Sequence, residues 1–343
     1  MNMSKTEAII YALLAAVFYA LNIPVSKILL ENIGPTMMAA LLYLGAGIGI
    51  GMLSLIKKND RSEKLTRTDL PYVIGMIVLD VAAPIFLMYG ITYGSSANAS
   101  LLGNFEIVAT TFIALVIFKE TVSKRLWLGI GLITLSSIVL SFEGTESLNF
   151  SFGSLLVLLA TLCWGFENNC TRSISSKSTF EIVMLKGFFS GTGAMIIGLF
   201  QGEVLPEVKY IFYALLLGFV AYGLSIFLYV KAQNVLGAAK TSAYYAVAPF
   251  IGSFLSFIFF KEQLSILYLL ALILMIAGSV LVVADTLIRH HIHEHQHTFT
   301  YTENGHTRTC TVTHSHEHDH FAAADRHGHH HSKEELLKLI SSK

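Results

Sequence analysis

The sequence predicts an all-α integral membrane fold: ten transmembrane helices arranged as a 5+5 inverted repeat, followed by a polar, histidine-rich C-terminal tail. Three observations predict it. Of the 343 residues 54% are hydrophobic and only 13% are charged, against roughly a quarter charged in soluble proteins. Ten apolar runs approach the length of about 20 residues that a helix needs to cross a hydrocarbon core about 30 Å thick. Residues 80–142 align without a gap on residues 222–284, and a repeat of that size decides the architecture.

The runs lie near residues 7–30, 35–56, 71–92, 97–118, 125–142, 153–172, 180–200, 208–230, 239–260 and 265–286. The first continues past the apolar core of a cleavable signal and lacks a clean small-residue cleavage site, so it is expected to remain as a helix. Breaks at 31–35, 94–96, 143–151 and 201–207 are short and carry charge or turn residues, which makes neighbouring helices antiparallel. Basic residues set the orientation. With the N-terminus in the cytoplasm, Lys57, Lys58, Arg61, Lys64, Arg67, Lys119, Lys124, Arg125, Arg172, Lys177, Lys240 and Arg289 fall inside, leaving mainly Lys209 and Lys261 outside. An even number of helices then keeps the tail cytoplasmic. A net charge of zero gives no basic field to attract nucleic acid. Cys163 and Cys170 lie in apolar runs and Cys310 stands alone in the tail, so no disulfide is expected.

Within the repeat, Phe118-Lys119-Glu120 falls on Phe260-Lys261-Glu262, Ser100 on Ser242 and Ser137 on Ser279. Five helices per half is an odd number, so the two copies oppose each other across the membrane. Many secondary transporters share that plan and bind substrate near the midplane, where the repeats meet. The expected domains are a first repeat over 1–145, a second over 146–288 and a tail over 289–343.

The ten-helix plan, the Phe-Lys-Glu match and the stretch Tyr93-Gly94-Ser95-Ser96-Ala97-Asn98-Ala99-Ser100-Leu101-Leu102 resemble the drug/metabolite transporter superfamily, specifically proteins with two EamA domains, over about residues 7–286. The resemblance implies a 5+5 inverted-repeat transporter that works by alternating access, usually on small organic metabolites. The chain departs from the pattern at one place. Where Pro249 sits in the ninth helix, the aligned first-half region has Glu106 and Ile107, and similar proteins often show proline there.

A charge deep in a bilayer is costly and usually faces a cavity or pathway. Asp80, Glu106, Glu167 and Lys186 are such charges. Glu106 lies mid-span in the fourth helix, with Ala99, Gly103 and Thr110 on its face at helical spacing, and is the expected proton carrier. Asp80, one turn before Pro84, is expected to work with it as a proton or cation relay, and the proline frees a backbone carbonyl nearby. Glu167 sits in a polar group with Cys163, Asn168, Asn169, Cys170 and Thr171, and Asn22, beside Pro24, holds the corresponding place in the first helix. Lys186 shares a face with Ser190 and Gly193 and either pairs with Glu167 or snorkels to the interface.

All 14 histidines lie between His290 and His331. Asn304-Gly305 is a type I′ turn signal flanked by threonine-rich β-prone residues. A hairpin on that turn sets His295 opposite His314, His293 opposite His316 and His291 opposite His318, with His297 and Cys310 on the same face. An isolated two-stranded hairpin is marginal in water, so the ribbon would be ordered by metal, with a disordered chelating tract as the alternative. No cofactor is obligatory; zinc, nickel, cobalt or copper are the candidate ions for the tail. Ser332-Lys333-Glu334-Glu335 reads as a capping box that opens a short last helix.

The function expected is secondary active transport of a small metabolite, proton- or cation-coupled, with a metal-sensing tail. Transport of divalent metal or a metal chelate is the alternative, and a membrane metal sensor without transport is the third reading. An enzyme is disfavoured, since no span carries a paired-histidine motif or a nucleophile–base arrangement. The partners are the lipid bilayer and a small-molecule or ion substrate, with a homodimer as one open assembly.

Overall fold

A computed structural model describes residues 3–56, 63–118, 124–143, 149–174, 177–236, 241, 244–261, 265–303 and 306–321. The chain divides into two compact units, Met1–Val283 and Ala284–Lys343. In the first unit each of the ten apolar runs is helical. The first run is Lys5–Ala20 and Asn22–Leu29, the second Pro35–Ile56, the third Leu70–Tyr93, the fourth Ser96–Leu102 and Phe105–Phe118, and the fifth Lys124–Leu140. The sixth is Phe152–Ile174, the seventh begins at Thr179–Leu185 and ends at Gly191–Phe200, and the eighth begins at Val208–Gly218 and ends at Ser225–Leu236. The ninth is Ala248–Phe260 and the tenth Ile266–Leu287. Six are long and apolar enough to cross a membrane by length and composition: Lys5–Leu29, Pro35–Ile56, Arg67–Tyr93, Thr179–Phe200, Val208–Ala232 and Ile266–Ala284.

Residue size, more than polarity, sorts inside from outside. The first span buries Ala8, Ala12, Ala15, Ala16 and Ala20 and exposes Leu13, Leu14 and Val17. Helix association in lipid gains little from hydrophobicity and depends on close backbone approach, so small residues line the contacts. Glycines take this furthest. A Cβ at Gly187 of the seventh span would lie 2.3 Å from Gly47 of the second, and one at Gly218 of the eighth would lie 2.0 Å from the Leu42 carbonyl oxygen. Gly187→Ala is therefore expected to cost about 1–3 kcal/mol by overpacking. Gly131→Ala, where nothing lies within 4 Å, should leave thermal unfolding of the purified protein almost unchanged.

Besides the first span, broken at Leu21, the fourth, seventh and eighth depart from a regular helix. In the fourth, the expected continuous run over 97–118 is split at Gly103 and Asn104, where Asn104 N–H donates to the Leu101 carbonyl and Glu106 N–H to that of Gly103 in tight three-residue turns. Glycine and asparagine are weak helix formers, and Asn104 is a turn residue. Glu106 thus opens the second segment instead of sitting mid-helix, and Thr110 shares its segment whereas Ala99 and Gly103 do not. The seventh and eighth spans carry π-helical turns at Lys186–Ser190 and Phe219–Leu224, a distortion often found at functional sites.

The helix starts of the second and seventh spans are tied down alike. Glu203, in the loop after the seventh span, accepts from the N–H groups of Thr36 and Met37 at 3.1 and 2.7 Å. The Glu63 carbonyl, in the loop after the second span, accepts from Ser178 N–H at 2.8 Å, and the Glu63 carboxylate lies 3.0 Å from the Lys177 ammonium, holding that lysine above its ordinary range.

The second unit contains the strands Ile288–Glu303 and His306–Phe321, antiparallel, with His291 opposite His318, His293 opposite His316, His295 opposite His314, His297 opposite Val312 and Phe299 opposite Cys310. The expected turn at 304–305, His327, His329, His330, His331 and the expected last helix lie outside the described residues.

Candidate functional site

Three of the four charged residues singled out by the sequence, Asp80, Glu167 and Lys186, gather in one buried centre. Asp80 is held in the third span, where Pro84 cannot donate to the Asp80 carbonyl. Its carboxylate accepts from the Tyr43 hydroxyl of the second span at 2.8 Å and lies 3.4 Å from the Lys186 ammonium. Lys186 also lies 2.5 Å from Glu167 of the sixth span. The Thr171 hydroxyl, one turn further along, donates to the same carboxylate. The Lys186 side chain is 9% exposed, which overturns the snorkelling alternative: the π turn holds its ammonium among two acids and away from an interface.

Glu106 stands beside this triad without joining it. Asn168 donates to its carboxylate at 2.6 Å and to the Thr110 hydroxyl at 3.3 Å. Asn169 turns its amide to the Gly165 and Thr110 carbonyls at 2.8 and 3.4 Å. The close approach needs glycine, since a Cβ at Gly165 would lie 2.6 Å from that of Ala109. Glu106 and Asn168 are partly exposed, whereas Asp80, Glu167 and Lys186 are buried. Asp80 pairs with Lys186, whereas the Glu106 carboxylate is held by Asn168.

Asn22 belongs to a neutral counterpart of the triad. Its amide donates to the Tyr222 hydroxyl at 3.0 Å, and Ser26 donates to its oxygen at 3.1 Å. Tyr222 occupies the position that repeats Asp80 at the 142-residue offset. The Tyr43 and Tyr222 ring centroids lie 5.1 Å apart, linking the charged and neutral halves. From there the rings continue to Tyr19 at 6.0 Å, Tyr245 at a further 5.8 Å and Tyr229 at a further 5.1 Å. Reading for charge missed these tyrosines, although the offset itself pointed to Tyr222. Cys163 and Cys170 are free thiols. Among the described residues no group of three His, Cys, Asp or Glu side chains is arranged to hold a metal ion.

A multi-pass helical membrane protein with a buried, hydrogen-bonded charge cluster and a partly exposed carboxylate beside it has the makings of a transporter. Comparison with known proteins gives the family. The model of the EamA-like transporter family matches residues 6–142 and again 151–284, and the chain belongs to that family, which comprises transporters and not enzymes. It is 27% identical over 290 residues to an uncharacterized transporter of Methanothermobacter thermautotrophicus, covering 77% of this chain and 82% of the relative. It is 25% identical over 268 residues to the uncharacterized transporter YoaV of Bacillus subtilis, covering 74% and 88%. A crystal structure matches with a TM-score of 0.59 at 14% identity, over 81% of this chain and 96% of that one, a likeness of fold.

Proposed function

We propose that this protein is a secondary active transporter that moves a small metabolite across the cytoplasmic membrane by alternating access, coupled to a proton or another cation through Glu106. The observation that carries the reading is the partly exposed Glu106 carboxylate, held by Asn168 beside the buried Asp80–Lys186–Glu167 triad. The triad binds two carboxylates with one ammonium, and Glu106 is the acid that a solute or proton can reach.

The two repeats, 1–145 and 146–288, are inverted in this reading, with both termini cytoplasmic as the basic residues indicate. Several contacts support a two-fold relation, because they exchange under the 142-residue offset. A Cβ at Gly129 of the fifth span would lie 3.0 Å from the Gly278 carbonyl of the tenth, and the Ser136 hydroxyl donates to the Ala271 carbonyl at 2.6 Å. Shifting Gly129 and Ser136 by 142 gives Ala271 and Gly278.

The tail, 289–343, binds zinc, nickel, cobalt or copper in this reading, supported by the backbone register of its histidines. The ion would be held by His291, His293, His295, His314, His316 and His318, with His297 and Cys310 alongside. Reconstitution into liposomes tests both parts. Under an imposed pH gradient, full-length protein and protein ending at residue 288 are expected to accumulate the same metabolite from a labelled mixture, and only the full-length chain should bind zinc in solution. Metal uptake that disappears with the tail, with no metabolite flux in either protein, would replace this reading with divalent-metal transport. No flux of any solute would favour a sensor.

A further inference from the structure

The second and seventh spans, one from each repeat, run antiparallel in a single register. A Cβ at Gly198 would lie 3.5 Å from the Thr36 Cβ, one at Gly191 2.8 Å from the Leu44 nitrogen, and one at Gly51 3.8 Å from the Met184 sulfur. Between them, a Cβ at Gly187 would overlap the Gly47 backbone. Each step forward along one span is thus matched by a step back along the other. A slide of one residue would set Lys186 or Phe188 where only glycine fits, so the close packing fixes the register.

Both ends of the pair are tied as well. At one end the Glu203 carboxylate accepts from the N–H groups of Thr36 and Met37, and the Thr36 hydroxyl donates to Gln201 at 2.6 Å. Those N–H groups have no partner within their own helix, and the carboxylate also meets the positive end of the helix dipole. Gly34 gives that carboxylate its room, because a Cβ there would overlap it. At the other end the Glu181 carboxylate accepts from Leu65 N–H at 3.0 Å, the Glu63 carbonyl from Ser178 N–H at 2.8 Å, and Lys177 meets the Glu63 carboxylate.

Alternating access opens one side of a pathway while the other is shut. A gate between these two spans would part at one end in each open state, whereas here both ends and the middle are joined. We propose that the second and seventh spans stay paired throughout the transport cycle, a fixed bar against which the other spans move to open either side. The inference rests on the transporter reading and goes beyond it by placing the gates away from this contact. The bar carries Lys186 on one member and Tyr43 on the other, so the charged triad and the Asn22–Tyr222 pair are built against the same support.

The test is cross-linking in a chain whose Cys163, Cys170 and Cys310 are replaced by serine. Thr36→Cys with Gly198→Cys sets two Cβ atoms 3.5 Å apart, within the range of a disulfide. Glu63→Cys with Lys177→Cys uses the backbone bridge between those residues. Both pairs are expected to oxidise in liposomes, and counterflow exchange of the labelled metabolite mixture should stay within about twofold of that in the reduced protein. Exchange that stops on oxidation of either pair and returns on reduction overturns the inference, because that end is then a gate. Failure of either pair to cross-link overturns it too. A second measurement needs neither flux nor a disulfide. Spin labels at Met52 and Ile196, both exposed, should give one distance distribution in nanodiscs, the same in acidic buffer, in alkaline buffer and with the metabolite mixture. A distribution that shifts or splits overturns the inference. Absence of flux in the parent protein would overturn the transport reading alone, since the cross-links and the label distance still report the pairing.

Discussion

Lys186→Met is expected to lose most of its folded yield. The substitution leaves Asp80 and Glu167 facing one another with no ammonium between them, and their side chains are 1% and 4% exposed. Removing one member of a buried ionic group costs about 3–5 kcal/mol, because the charges left behind have neither water nor an opposite charge, and the hydroxyls of Tyr43 and Thr171 do not neutralise them. That is a large fraction of the stability of a typical domain. Size-exclusion yield and thermal unfolding of purified protein measure the loss. The triple variant Lys186→Met, Asp80→Asn, Glu167→Gln removes every charge of the cluster and should recover most of the folded yield. If it also transported solute at the parental rate, the triad would be a static brace and its part in the pathway would be disproved. Unchanged yield of the single variant would mean that the two acids are not confined as the geometry has them.

Glu106→Gln has the second large effect, and it falls on function while sparing the fold. Glutamine keeps a carbonyl oxygen for the Asn168 amide, so the contact between the fourth and sixth spans survives. What disappears is the group that, in the proposed coupling, gains and loses a proton. Each pH unit of gradient supports about tenfold accumulation for every proton carried, since 1.4 kcal/mol corresponds to a factor of ten. In the variant, accumulation in liposomes should fall to equality across the membrane, while counterflow exchange of labelled solute continues. Accumulation at the parental level would remove Glu106 from the coupling step.

The two variants probe layers of the site that were differently legible in the sequence. Asp80, Glu106, Glu167 and Lys186 are conspicuous as charges within apolar runs, because insertion of such residues into lipid is costly. The pairing of Glu167 with Lys186 was an open alternative on adjacent spans, and the geometry bears it out. Asp80 was read as a relay partner of Glu106, and its contact with Lys186 was not foreseen. The choice between them depends on the rotation of the third span about its axis and on the π turn at Lys186–Ser190, neither of which hydropathy records. The tyrosine series was missed for a related reason: tyrosine in an apolar run is unremarkable until packing brings Tyr19, Tyr43, Tyr222 and Tyr245 from separate spans into ring contact.

The fourth span shows the same division within a single element. Its apolar length was readable, yet the interruption at Gly103 and Asn104 decides that Glu106 sits in the first turn of a new segment. Glycine and asparagine occur in many membrane helices without breaking them, so their presence permits a turn without requiring it. The contacts of Ser100 and Pro249 with the facing segments come only with the assembled bundle.

By itself the sequence determined the solvent, the number of apolar runs, the twofold repeat and the identity of the buried charges. These follow from local composition and from the length of helix needed to satisfy every backbone hydrogen bond within lipid. Tertiary structure alone decided that Asp80 joins Glu167 at the lysine, that Glu106 stays partly exposed and that tyrosines of separate spans meet ring to ring. Those outcomes depend on contacts between separate spans, such as Asp80 with Lys186 and Asn168 with Glu106, where an ångström of helix shift or a fraction of a turn exchanges one partner for another.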